Sequence, residues 1–183
     1  ASEKNLQNPC ENLVPRLNQF DDLELIEQCR REIPHRLDAF RELVTRYEPD
    51  VYETCFRLVA DKQAAEQICE DAFLQVFHQI HQFRPGPNSY SSLKTWIFQI
   101  VHRLCELHFE GTPSNRSTEP ADDMAKALRI LNRDARDWIV LRFVSALNVR
   151  EIAEVLEVTS KKAKENLYHA LCRFREASEL IAS

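Results

Sequence analysis

At 183 residues, 44% hydrophobic, 29% charged and with a formal net charge of -5, the chain has the composition of a soluble globular protein rather than a disordered one, and it is long enough for one core or two small ones. Its 2 glycines argue against a glycine-rich phosphate loop and against a tight-turned β protein. No uncharged apolar run approaches the ~18 residues a membrane span needs, and the first residues hold no apolar stretch resembling a secretory signal, so neither direct membrane insertion nor export is expected.

Apolar residues recur at helical spacing nearly throughout, with no sustained alternation of the kind strands show, so the expected fold class is all-α. Leu23, Ile26 and Cys29 suggest a first helix, capped by Asp21 or Asp22. Leu37, Phe40, Leu43, Val44 and Tyr47 form a second stripe, and Val51, Cys55, Leu58 and Val59 a third. The longest pattern runs from about Asp61 to Phe83 through Ala65, Ile68, Ala72, Phe73, Val76, Phe77 and Ile80. "FRPGPNSYSS" then breaks the period with two prolines and a glycine and reads as a loop. Helical spacing resumes from Leu93 to Phe109, with Trp96, Ile97, Ile100, Val101 and Leu104 on its apolar face.

"EGTPSNRSTEPADD", residues 110–123, carries almost no apolar side chain and two prolines, which is the composition of a flexible linker. Three more helical patterns follow, over Met124–Leu131, Arg133–Val144 and Val149–Ala182. The expected organisation is an N-terminal extension (1–21), a helical domain (22–109), the linker (110–123) and a smaller helical domain (124–183). Charge divides along the same boundary. From Met124 onward there are 11 Lys+Arg against 8 Asp+Glu, and before it 13 against 21. A mildly basic module inside an acidic chain points to nucleic acid at that end.

The six cysteines (Cys10, Cys29, Cys55, Cys69, Cys105 and Cys172) are scattered without a C-x-x-C pair. They read as reduced thiols of a cytoplasmic protein, packed as small hydrophobes. "HRLCELH" spaces His102, Cys105 and His108 like metal ligands. On a continuous helix, however, the first and third lie about 240° apart, so the three do not converge and no metal site is expected there. No nucleophile–base arrangement, catalytic carboxylate pair or cofactor motif appears, so neither an enzyme nor a cofactor is expected.

"EVTSKKAKENLYHALCRFR", from Glu157 to Arg175, concentrates three lysines at a helix start. Upstream, Asn148 with Glu151 three residues on forms a capping-box pattern. Ile152, Val155 and Leu156 give that short helix an inner face. Glu157 and Val158 make a tight break, and Thr159 or Ser160 caps the next helix, whose inner side holds Ala163, Leu167, Ala170, Leu171 and Phe174. Its other side presents Lys161, Lys164, Glu165, Tyr168 and Cys172, with Arg175 at the margin. Two helices joined by so short a turn fit a helix-turn-helix, whose second helix enters the major groove N-terminus first. Lysines there can meet phosphates and base edges. The same residues also fit a solvated helical hairpin.

The order of these motifs resembles the extracytoplasmic-function sigma factors of bacterial RNA polymerase, over about Asp22 to Glu179. Leu141, Arg142, Glu151, Ile152, Ala153, Leu156, Val158, Lys164, Leu167, Ala170 and Arg175 stand where the fourth sigma domain has matching residues. "AEQICEDAF" and "LKTWIFQIVHRLCELHF" resemble helices of the second sigma domain. The resemblance implies a sigma domain two-like module and a sigma domain four-like helix-turn-helix. The first would bind core polymerase at the clamp helices of its largest subunit through Glu66, Glu70, Asp71 and Gln75. It would also read the minus-ten promoter element, with Tyr90 and Arg103 as candidates, whereas Trp96 is expected in the core. The second would meet the polymerase flap and read minus-thirty-five DNA through Ser160, Lys161, Lys162, Lys164, Glu165, Tyr168 and Arg175. An anti-sigma factor is the implied regulator.

The chain departs from the family pattern at several positions. Arg103 and Leu107 replace an asparagine and an aspartate, Glu106 and Glu110 stand where basic character is usual, Glu165-Asn166 replaces Ser-Arg, and Glu157 occupies the place of the turn glycine. These departures leave a second reading open, a sigma-like regulator that acts by protein mimicry as an anti-sigma decoy without promoter recognition.

Overall fold

The computed structural model describes residues 16–86, 92–111 and 122–182. Eight α-helices and one 3-10 turn make up the secondary structure of these residues, and they contain no strand. The chain forms two compact units, Ala1–Leu43 and Val44–Ser183.

The first unit contains α1 (Asp22–Glu32). Asp21 caps it, accepting from the N–H groups of Leu23 and Glu24, while Glu24 accepts from the Asp21 N–H, so the capping box is complete. Leu25, Ile26 and Cys29 are buried, but Leu23, expected on the inner stripe, is exposed. One residue is 100° of turn, and the inner face is centred on Leu25 and Ile26 instead. Glu32 is also buried. Its carboxylate accepts from Gln28 Nε2 at 2.8 Å and from the Ala39 N–H at 2.9 Å, one of the orphan donors at the start of α2. Burial, and next the Glu32 charge, push the Cys29 thiol up to about 12.

The second and third stripes lie on one helix, α2 (Asp38–Val59), with Pro49 inside it. A proline removes the donor for the carbonyl four residues earlier, that of Thr45. Thr45 and Pro49 are both exposed, so water can satisfy that carbonyl and the helix continues.

In the second unit, α3 (Lys62–Gln79) starts at Asp61, whose side chain accepts from the Ala64 N–H at 2.8 Å. Ala65, Ile68, Cys69, Ala72, Phe73 and Val76 are its buried face. It packs against α4 (Leu93–Gly111), where Trp96, Ile97, Phe98, Ile100, Val101 and Cys105 are buried and Leu104 is half-buried. Trp96 lies in the core as expected, 4.9 Å from the Phe83 ring. Glu110 and Gly111, assigned to the linker on composition, still belong to α4, and Asp122 and Asp123 already belong to the start of α5. The remaining linker positions lie outside the described residues.

Helices α5 (Asp123–Ile130), α6 (Arg133–Phe143) and α7 (Val149–Val155) gather around α8 (Ser160–Ala182). Asp122, Asn132 and Asn148 cap the first three, each accepting backbone N–H bonds. The scarcity of glycine has a structural consequence here. Left-handed backbone at the helix ends falls to Ala60, Ala146 and Glu157, with φ of 55°, 52° and 53°. An L side chain bears a steric cost there that glycine avoids.

Four thiols, those of Cys29, Cys55, Cys69 and Cys105, are buried and Cys172 is half-buried, all of them free, in keeping with their reading as packed hydrophobes. A hydrogen bond from the Cys105 thiol to the Cys55 sulfur, and next burial, raise Cys105 well above the ordinary thiol range.

Candidate nucleic-acid and polymerase interfaces

The helix-turn-helix is built by local chemistry. Asn148 Oδ1 accepts from the N–H groups of Arg150 (2.9 Å) and Glu151 (3.1 Å), and Glu151 Oε2 accepts from the Asn148 N–H at 2.8 Å, so the capping box read from the sequence is present. The turn after α7 is a Schellman motif. The Val158 N–H donates to Ala153 O at 2.9 Å and the Glu157 N–H to Glu154 O at 3.2 Å, with Glu157 in the left-handed position glycine usually holds. Thr159 Oγ1 then accepts from the Lys162 N–H at 3.3 Å, which makes Thr159 the side-chain cap of α8.

Ser160, Lys161, Lys162, Lys164 and Glu165 are all exposed on the first turns of α8, and Tyr168 is 66% exposed on the next. None of the three lysines has an ion-pair partner among the described residues. Their charges add to the positive end of the helix macrodipole instead of offsetting it. Arg175 is exposed two turns beyond Tyr168, 3.7 Å from Glu179. The inner face is Ala163, Leu167, Ala170 and Ala177. Leu171, expected among them, is 36% exposed, and Phe174 is half-buried. Ala177 extends the inner face along the Ala163, Leu167, Ala170 row.

On α3, Glu66 and Glu70 are exposed and line a cleft of about 340 Å³ with Glu48, Pro49, Tyr52 and Cys69. Three carboxylates make this an acidic cleft. Burial is the main cause, ahead of the neighbouring Cys55, Glu48 and Glu70, that pushes the Cys69 thiol at its floor up to about 12. Asp71 and Gln75 are half-buried and lie outside that lining, and Asp71 accepts from Gln67 Nε2 at 3.2 Å. One turn after Glu70, Leu74 is 57% exposed. Its exposure is legible in the helical spacing, since Leu74 falls off the apolar stripe of Ala65, Ile68, Ala72, Phe73 and Val76.

Tyr90 lies outside the described residues. Arg103 is exposed on α4, and its guanidinium stands 3.7 Å from Glu157 Oε1, the same oxygen that accepts from Gln99 Nε2 at 3.0 Å. Two unusual positions, the arginine of the candidate minus-ten helix and the glutamate of the helix-turn-helix turn, therefore face each other.

They are part of a polar seam that α2 and α4 make with the helices after residue 122. Arg57 donates two bonds to the Asp122 carboxylate, at 2.9 and 2.8 Å. That pairing, and next the Ala125 N–H, hold the Asp122 carboxyl below the usual carboxylate range, and the same bond raises Arg57. The Thr54 and Ser145 hydroxyls are fully buried and 2.8 Å apart. Arg136, 3% exposed, donates to the carbonyls of Leu128, Leu131 and Leu58. His102 Nε2 meets Asp137 Oδ2 at 3.1 Å, and Arg133 meets Glu106 at 2.9 Å while lying over the Phe109 ring. Of the three residues spaced like metal ligands, His102 turns to Asp137, Cys105 to Cys55, and His108 packs edge-on against Phe109, so they do not converge.

Residues 43–110 match the Sigma-70 region 2 family model. The chain is 23% identical over 170 residues to the extracytoplasmic-function sigma factor SigX of Bacillus subtilis, covering 79% of this chain and 86% of SigX. It is 24% identical over 173 residues to BldN of Streptomyces coelicolor, covering 82% of this chain and 64% of BldN. In fold it is similar to CnrH, solved in complex with the cytosolic domain of CnrY, with a TM-score of 0.68 and 19% identity over 85% of this chain and 96% of CnrH. It is also similar to the sigma factor RpoE of Bartonella quintana, solved with the anti-sigma factor NepR, with a TM-score of 0.65 and 18% identity over 76% of this chain and 96% of RpoE.

Proposed function

Because the chain belongs to the extracytoplasmic-function sigma factors, we propose that it binds core RNA polymerase and directs transcription from a specific set of promoters under the control of an anti-sigma factor. The observation that carries the reading is the N-terminus of α8. A capped helix-turn-helix presents Lys161, Lys162 and Lys164 there, exposed and without acidic partners among the described residues. Such a surface suits phosphates and base edges of a major groove. The relatives found are sigma factors, and the decoy reading gains no support from them.

Within this reading, residues 22–109 bind polymerase and the minus-ten element, and residues 124–183 bind the flap and the minus-thirty-five element. Glu66 and Glu70, with Asp71 and Gln75 beside them, supply an acidic surface for the clamp helices, and exposed Leu74 adds an apolar contact in its midst. Ser160, Glu165, Tyr168 and Arg175 flank the lysines on the DNA side of α8, and Tyr90 and Arg103 serve the minus-ten element. The anti-sigma partner is assigned by likeness to RpoE, solved with NepR. No helix among the described residues is long and apolar enough to cross a membrane; by likeness to the sigma factor relatives, the proposed factor works in the cytoplasm beside the polymerase and has no catalytic step of its own.

Run-off transcription with core polymerase and a promoter library tests the proposal. Transcripts that depend on the chain support it, and their absence across the library refutes it. In binding of the chain to minus-thirty-five-like duplexes at several salt concentrations, a lysine that meets only phosphate, changed to alanine, lowers the salt slope by about one for every sequence. One that reads a base costs about 1–3 kcal/mol and relaxes preference at one position.

A further inference from the structure

We propose that His102, Glu106 and Asp137 form a binding site for a borderline divalent transition-metal ion such as Zn²⁺, between α4 and α6. One ligand atom from each lies within 4.8 Å of the others. His102 and Glu106 are one helical turn apart on α4, which puts them on the same face, and Asp137 reaches them from α6. An imidazole with two carboxylates is a donor set for ions of this class.

The distances suit the chemistry. With metal bonds near 2.1 Å, tetrahedral ligands stand about 3.4 Å apart, and His102 Nε2 is already 3.1 Å from Asp137 Oδ2. These two side chains are only 13% and 12% exposed, so they are held in place by packing. Glu106 is the adjustable ligand. Its side chain is 49% exposed and closes the remaining distance by rotation. Its present partner, Arg133, keeps its place over the Phe109 ring, 4.6 Å from the centroid, when the carboxylate leaves. The carboxylates of Glu106, Asp137 and, at the rim, Glu157 outnumber the two nearby cations, Arg133 and Arg103, and leave the site net negative.

There is also a route in. A cleft of about 150 Å³ opens onto His102 and Glu106, bordered by Gln99, Arg103, Leu156 and Glu157. Its water can fill the fourth position of a tetrahedral ion. To bind, the imidazole moves its proton to Nδ1 and offers the Nε2 lone pair, replacing the hydrogen bond to Asp137 with two bonds to the metal. The ion then ties α4 to α6 more firmly than that hydrogen bond does. The cysteines stay out of the site, since the Cys105 thiol faces Cys55.

The test uses the full chain, stripped with chelator and titrated with Co²⁺ as a spectroscopic probe and with Zn²⁺ by calorimetry. The expected result is one ion per chain, a Co²⁺ spectrum without thiolate charge-transfer, and a melting temperature raised by the metal. His102→Ala and Asp137→Asn should abolish all three. Glu106→Gln alters an exposed side chain and leaves the fold alone. It should weaken binding by no less than the roughly 10–100-fold that an outer partner costs. Absence of stoichiometric binding, a thiolate signature, or affinity unchanged in Glu106→Gln together with folded His102→Ala would overturn the proposal.

Discussion

Replacing Arg136 by methionine should cost a large part of the stability of this chain, although the residue touches no proposed ligand. Its guanidinium is 3% exposed and donates to Leu128 O at 3.0 Å, Leu131 O at 3.1 Å and Leu58 O at 3.4 Å. Leu128 O and Leu58 O belong to the last turns of α5 and α2, where no intrahelical donor remains and the helix dipoles are negative, and Leu131 O follows α5 directly. A hydrogen bond to a charged group contributes about 1.5–3 kcal/mol, and a buried carbonyl left unsatisfied costs about 1–3 kcal/mol. The two shorter bonds should dominate, and release of the buried guanidinium offsets part of the loss. What remains is two or three neutral carbonyls and no stranded charge, so the net loss should be about 2–4 kcal/mol. With a urea slope of about 2–3 kcal/mol/M for a chain of this size, the midpoint should fall by about 1–2 M. Arg136→Lys should fall between, because one ammonium cannot reach carbonyls spread over two helices. Urea denaturation followed by circular dichroism measures both variants. A loss under about 1 kcal/mol in the methionine variant, or a lysine variant as stable as the parent, would refute the account of α2, α5 and α6 as joined through this side chain.

Glu157→Gly should be more stable than Glu157→Ala by about 1 kcal/mol, since both lose the contacts to Gln99 and Arg103 but only glycine relieves the left-handed backbone; equal denaturation midpoints would remove strain from the description of the turn. Asp122 has a lowered carboxyl value, so its contribution is complete above the unfolded value, about 3.9, and is lost as pH falls through the depressed folded value. Asp122→Asn should therefore be less stable than the parent at pH 7 and approach it in strong acid, and a gap unchanged across that range in denaturation curves would sink the linkage to Arg57. Replacing Glu70 and Asp71 together by lysine should weaken core-polymerase capture with the helical circular dichroism spectrum intact, and capture at the parental level would move the polymerase surface elsewhere.

The sequence by itself determined most of what lies within a turn or two of helix. The caps at Asp21 and Asn148–Glu151, the tight break at Glu157–Val158 and the buried faces of α3 and α8 depend on partners three or four residues away. Residue type and spacing report those partners directly. The same logic lost accuracy where one residue of phase decides burial, as at Leu23 and Leu171, and at Pro49, where a prolyl residue stands inside a continuous helix because solvent can serve the freed carbonyl. The polar seam could only be decided by the tertiary structure. Its pairs are 35 residues apart at His102 and Asp137 and 91 apart at Thr54 and Ser145. Helical periodicity says which side of a helix is polar or apolar, but the packing of α4 and α2 against α6 and α7 chooses which polar side chains meet. For that reason helical spacing could say that His102, Cys105 and His108 of "HRLCELH" do not converge, but not that the fold would bring His102 and Glu106 beside Asp137 of another helix.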